Sequence, residues 1–369
     1  MRLSRRAGPA ILAAALAVVL AGCATAPPAQ PRAGVAVASA EAARADRIAE
    51  QSRLSDSVIE SLVPDDGPGC SAAVAMYGRV IWAGAAGLAD IDGGIPMTTD
   101  TRFEMGSVSK QFTATAILML QREGLLSLSD TIGTYVDGMP DWADTITLDQ
   151  LIHHTSRIPD FWVELDSVGI GFTDPADQAT TLAAIARETE LEPGSGYTYS
   201  NSNYVLLAEV VARVSGMPLA DFLAERIFSP LDLDIVLAPG LDAPDIALSY
   251  DDAVQLQEGG WTSYGHVGII STPSELAKWG DQYRAGDIIQ DDFLVGAVDE
   301  GAGEVYAAGM DVEVDGDLNH TGRWGGYISD FTVSADRTKT IVVACNGHRS
   351  DRFGIVDALW AIWDPHSAE

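Results

Sequence analysis

Ser107 and Lys110 stand three residues apart in the run Glu104-Met105-Gly106-Ser107-Val108-Ser109-Lys110-Gln111-Phe112-Thr113-Ala114. At the head of an apolar-periodic segment this spacing puts both side chains on one helix face, one turn apart. A lysine amine there can take the serine proton if it is neutral, and burial near a helix N-terminus disfavours its charged form. The pair is therefore a candidate nucleophile with its own base. Lysine occurs only three times in the chain, at Lys110, Lys278 and Lys339, so its use at position 110 is informative: arginine could not be deprotonated there.

Two further groups of residues suit the same chemistry. Tyr199-Ser200-Asn201 follows the turn Glu192-Pro193-Gly194-Ser195 and reads as a short extended piece, which would point Tyr199 and Asn201 the same way. A phenol beside a protonated lysine loses its proton more easily, and an amide can hold both a lysine and a substrate carbonyl. His320-Thr321-Gly322 reads as strand, where the bare glycine lets a substrate backbone approach and the next amide, on Arg323, can act as an oxyanion donor. Adjacent His153 and His154 diverge by about 100° on a helix and are read as structural. No metal-ligating pattern is present, and neither a metal nor a cofactor is expected.

The elements that must position these residues are legible as patterns. Residues 105–124 read as a helix with Phe112, Ile117 and Leu120 on its apolar face and Gly124 at its end. Thr147 and Gln150 form a capping box, and Thr272, Pro273 and Glu275 open another helix. Tyr204, Leu207, Ala208 and Val211 give a helical period that stops at Gly216. Residues 71–76 and 80–85 make a hairpin near the front. Residues 304–314, 318–322, 327–335 and 340–345 make an antiparallel meander with a turn at 323–326, and an amphipathic helix, 353–363, closes the chain. The fold class is α+β: an antiparallel sheet flanked by helices, built from both chain ends, with a mostly helical middle of about 115–295.

Residues 1–22 carry Arg2, Arg5 and Arg6, then an apolar run too short to span a bilayer, and read as an export signal. Leu20-Ala21-Gly22-Cys23 resembles a lipobox, so Cys23 is expected to carry lipid, with outer-membrane sorting and a periplasmic face; a plain secreted protein is the alternative. Residues 23–40 read as a flexible tether and 41–365 as one catalytic domain. The formal charge of −31, from 53 acidic against 22 basic residues, argues against a nucleic-acid partner. Cys70 and Cys345 lie at strand ends in a chain bound for an oxidising compartment, where they are either bridged or buried free thiols.

Taken in order, the motifs at 106–114, 151–156, 199–201 and 320–322 resemble those of the serine β-lactamase-like superfamily. The resemblance is to the branch with class C β-lactamases, D-alanyl-D-alanine carboxypeptidases, D-aminopeptidases and esterases, and it covers about residues 68–346. It implies acylation at Ser107, assisted by Lys110, a proton relay or general base at Tyr199, a polar contact from Asn201, and a third motif led by His320. Thr321 and Gly322 would bind substrate, with the amides of Ser107 and Arg323 as oxyanion hole. It also implies that the first and last strands are neighbours, which would bring Cys70 to Cys345 as a disulfide.

Two departures bear on the activity. A neutral His320 where lysine is common suits peptidases better than efficient β-lactamases, with Arg323 a partial substitute for the missing charge. Arg157 replaces a usual glycine, so the loop over the cleft is expected to differ in shape. The expected function is a serine hydrolase acting through an acyl-enzyme on a small molecule or peptide, most simply a D-amino-acid peptide of the envelope or a small ester, with little β-lactam hydrolysis. The alternative is a lipid-anchored sensor that is acylated without turnover. Oligomeric state is not legible.

Overall fold

The computed structural model describes residues 33–191, 196–251, 254–256 and 260–363. The export signal, Cys23, the first part of the tether and the turn at 192–195 lie outside them. Helix α1 (Ala33–Leu62) opens the described chain, so residues 33–40 of the expected tether are helical. After Pro31 the sequence is rich in alanine, the best helix former, which accounts for the early start.

An eight-stranded antiparallel sheet is built from the two ends of the domain. Its strands are β1 (Cys70–Met76), β2 (Arg79–Ala86), β3 (Val298–Gly301), β4 (Glu304–Tyr306), β5 (Asp311–Val312), β6 (Leu318–Trp324), β7 (Tyr327–Val333) and β8 (Lys339–Cys345). They lie in the order β3-β4-β5-β6-β7-β8-β1-β2. Tyr77 and Gly78, both at positive φ, make the two-residue turn between β1 and β2, matching the right-handed twist of the hairpin.

Side-chain alternation explains why the sheet is covered on both faces. Ala72 and Val74 of β1, with Ile341 and Val343 of β8, pack with Ile59 of α1 and with Ile355, Leu359 and Trp363 of the closing helix α6 (Arg352–Trp363). Ala73, Ala75, Val342 and Ala344 face the other way into the main core, with Phe112 and Ile117. All seven residues of β8 are buried as a result. Cys70 and Cys345 are direct cross-strand partners and are joined by a disulfide.

The meander differs from expectation at three points. A turn closed by Ala307 N–H donating to the Met310 carbonyl splits the expected strand 304–314 into β4 and β5. A further edge strand, β3, precedes it. At the other end, β6 runs two residues beyond Gly322, because its inward alternation of Leu318, His320, Gly322 and Trp324 continues unbroken and the turn narrows to Gly325-Gly326.

The helical middle begins at α2 (Lys110–Arg122), preceded by a 3₁₀ turn, Gly106–Ser109, and not by the continuous helix expected from residue 105. The capping box predicted at Thr147 opens α3 (Leu148–Ile152). Helix α4 (Asn201–Ser215) ends at Gly216, and α5 (Pro273–Trp279) starts on Thr272, whose hydroxyl accepts from Glu275 N–H. Helices α2 and α4 pack on one another, which brings the 3₁₀ turn and the start of α4 to one place beside β6.

Candidate active site

Ser107 sits in the 3₁₀ turn because its neighbours leave little choice. Gly106 has φ +53°, and a Cβ there would lie 2.3 Å from the amide nitrogen of Arg323. Gly322 is equally constrained, since a Cβ would come within 2.0 Å of the Met105 carbonyl oxygen. Two bare glycines thus let the nucleophile turn and β6 touch backbone to backbone. The buried Glu104 carboxylate holds the turn from behind, accepting from Gly106 N–H and Gly268 N–H at 2.6 Å each.

Four of the predicted residues converge. Lys110 Nζ is 2.9 Å from Ser107 Oγ, and the Tyr199 hydroxyl donates to the same oxygen at 2.9 Å. Lys110 also donates to Asn201 Oδ1 at 2.8 Å and to the His266 carbonyl at 3.1 Å. Burial lowers the Lys110 ammonium to about 7, against the opposing pull of Asp160, Glu104 and Asp311. A substantial neutral fraction at pH 7 makes it a competent base.

Tyr199 behaves differently from the sequence expectation. Its ring is partly open to the cleft, yet desolvation raises the phenol above its ordinary range, so it stays protonated at neutral pH and is a donor in the resting site. Asn201 also departs: it opens α4 and does not continue the extended piece. The reason is Asp160, whose Oδ2 accepts from Asn201 N–H at 3.0 Å and from Asn201 Nδ2 at 2.8 Å, capping the helix from a distant loop and aiming the amide oxygen at Lys110.

His320, Thr321, Gly322 and Arg323 line a cavity of about 510 Å³ that also contains Ser107. His320 is not hydrogen-bonded to the cluster. Its Nδ1 is 2.8 Å from the Thr321 carbonyl and its Nε2 is 3.4 Å from the Tyr306 hydroxyl. Burial, aided by the charge of Lys110, lowers it to about 3, so it is neutral as expected. Glu300 and Asp311 stand on the same cavity wall, and burial beside Glu300 raises Asp311 to about 8.

His153 and His154 are buried supports. His154 lies against the Tyr199 ring at 4.4 Å and its Nδ1 is 2.9 Å from Asn203 Nδ2. Arg157 has a φ of +65°, the left-handed region that favours glycine, and its guanidinium donates a hydrogen bond to the Thr198 hydroxyl. Among the described residues, no group of three or more His, Cys, Asp or Glu is placed to hold a metal ion.

Sequence reasoning missed Asp160, Glu104, His266 and the Glu300–Asp311 pair. Pro159-Asp160 does signal a helix start, and Asp160 indeed accepts from Trp162 N–H, but nothing local says that it also serves Asn201.

A sheet formed from both chain ends, a helical middle, and a serine, lysine and tyrosine meeting where the two join define the serine β-lactamase-like superfamily, a class of serine hydrolases. The chain belongs to the Beta-lactamase family, whose model matches residues 56–361. It is 28% identical over 306 residues to penicillin-binding protein 4* of Bacillus subtilis, covering 73% of this chain and 66% of that protein. It is 38% identical over 167 residues to a D-aminopeptidase of Brucella anthropi, covering 44% of this chain but only 31% of the relative. In fold it is similar to a D-stereospecific amidohydrolase from Streptomyces, with a TM-score of 0.70 at 23% identity, over 84% of this chain and 98% of that one.

Proposed function

We propose that this protein hydrolyses amides of D-amino acids or short D-peptides through an acyl-enzyme on Ser107. The observation that carries the reading is the convergence of Lys110 Nζ and the Tyr199 hydroxyl on Ser107 Oγ, each at 2.9 Å. Neutral Lys110 takes the serine proton as Oγ bonds to the substrate carbonyl carbon, and the Ser107 and Arg323 amides face the developing oxyanion. The C–N bond then breaks. Tyr199 gives its proton to the departing nitrogen and recovers one from the Lys110 ammonium beside it. Water attacks the resulting ester, releases the acid and returns the proton to Ser107.

The names of the relatives support the D configuration and the amide bond. The Glu300–Asp311 wall supports a substrate with a free amino group. Neutral His320 offers no charge to a β-lactam carboxylate, so nitrocefin is a poor substrate in this reading. We also propose export and lipid attachment at Cys23. The Cys70–Cys345 bridge supports the oxidising compartment this requires.

A panel of D- and L-amino-acid amides, D-Ala-D-Ala, short esters and nitrocefin tests the activity in the parent and in Ser107→Ala. Turnover of D-amides that is abolished by the substitution, with a transient adduct in intact-protein mass spectrometry, is the expected result. Undiminished turnover in Ser107→Ala refutes the mechanism, and a persistent stoichiometric adduct refutes turnover.

A further inference from the structure

A second cavity of about 380 Å³, whose lining includes Ser107 but neither Glu300 nor Asp311, is lined by Trp162, Phe172, Trp324 and His266, together with Asn201. Its walls are aromatic and mutually braced. Phe172 and Trp324 have ring centroids 4.9 Å apart, and Trp162 stacks at 4.5 Å on Trp261 behind it. Such a pocket beside an acylated serine holds the side chain of the acyl group.

His266 is out of place in it. The residue is 1% exposed, yet neither ring nitrogen has a hydrogen-bond partner of ordinary geometry. Its ring neighbours are aromatic, Phe161 at 5.1 Å and Trp324 at 6.2 Å between centroids, both in T-shaped arrangements. Burial and then the charge of Lys110 hold the imidazole well below its usual range, so the ring is neutral and carries one N–H and one bare nitrogen. Whichever nitrogen carries the proton, the other is an acceptor without a donor in the resting site. A buried acceptor without a donor is costly, and a ligand that supplies one recovers that cost.

We infer that this cavity selects an aromatic acyl side chain carrying a neutral hydrogen-bond donor, a phenol or an indole, whose O–H or N–H donates to His266. A cationic side chain is disfavoured here, because the Arg323 guanidinium belongs to a residue lining the same space. The inference rests on the proposed D-amide reading for the placement of the acyl group, but the pocket can be tested without turnover.

Binding of D-tyrosine amide, D-tryptophan amide and D-phenylalanine amide to Ser107→Ala, followed by tryptophan fluorescence and calorimetry, is the decisive experiment. The donor-bearing amides are expected to bind about fivefold or more tighter than D-phenylalanine amide, the scale of one hydrogen bond to an otherwise unpaired buried group. Adding His266→Phe should erase or reverse that ratio, and adding His266→Gln, which keeps an acceptor, should retain part of it. A merely structural role for His266 would weaken all three ligands alike and leave the ratio unchanged. Equal affinity for the three amides in Ser107→Ala, or a preference that survives His266→Phe, overturns the inference. Failure of parent enzyme to hydrolyse any D-amide would refute the function proposed above while leaving this ratio measurable.

Discussion

Replacing Gly106 with alanine tests whether the contact between the nucleophile turn and β6 builds the oxyanion site. The new Cβ would meet Arg323 N at 2.3 Å and the Arg323 and Gly322 carbonyl carbons at 2.9 Å, all of them backbone atoms. Ordinary carbon contacts need about 3.5 Å, so the strand must retreat by roughly 1 Å. Holding alanine at φ +53° costs about 1–2 kcal/mol, and the overpacking adds about 1–3 kcal/mol. The melting temperature should therefore fall by several degrees.

The effect on rate is larger than the effect on stability. A displacement of about 1 Å at reacting groups, or the loss of one oxyanion donor, lowers kcat roughly 100-fold or more. Gly124→Ala is the matched control: its φ is +71°, so it carries similar backbone strain, but nothing lies within 4 Å of the added Cβ. Steady-state kinetics on the best D-amide, below both melting temperatures and with circular dichroism to verify folding, should show near-parental kcat for Gly124→Ala and about 1% for Gly106→Ala. A folded Gly106→Ala within threefold of the parent would show that the Arg323 amide takes no part in stabilising the oxyanion.

Because acylation needs neutral Lys110, the activity of the parent should rise with pH through about 7. Asp160 favours the charged lysine, so Asp160→Asn should move that acidic limb to lower pH while lowering the plateau through loss of Asn201 alignment; a limb that stays put or moves up in a kcat/KM profile contradicts the assignment. Replacing Cys70 and Cys345 together with serine should cost about 5 kcal/mol of stability, from the entropy of a loop with a sequence separation of 275, and leave kcat at 25 °C close to parental in any protein that remains folded. Calorimetry showing an unchanged melting temperature would contradict it.

Local chemistry decided what the sequence disclosed. Ser107 and Lys110 are tied by helical spacing, and Thr147, Thr272 and Gly216 mark helix ends by caps that need only their immediate neighbours. Groups that act across long separations left no such trace. Asp160 reaches Asn201 from 41 residues away, and Glu104 bonds Gly268 across 164. His266 lies in a stretch whose visible signal was only the cap that follows it. The titration of Tyr199 is hidden for the same reason: the lysine motif is legible, whereas desolvation, the largest influence on the phenol, is a property of the assembled cleft.

The link between Cys70 and Cys345 makes a covalent ring of nearly the whole catalytic body, with every residue of the reacting cluster on its circumference. The segments outside the ring meet as well, since Gln51 Nε2 donates to the Ile362 carbonyl and Trp363 Nε1 to Ser55 Oγ. A protease that nicks any exposed loop between the two cysteines therefore opens the ring without releasing a fragment. The two pieces stay joined until a reductant parts them, and the strands that meet at the bridge keep their register in the nicked molecule.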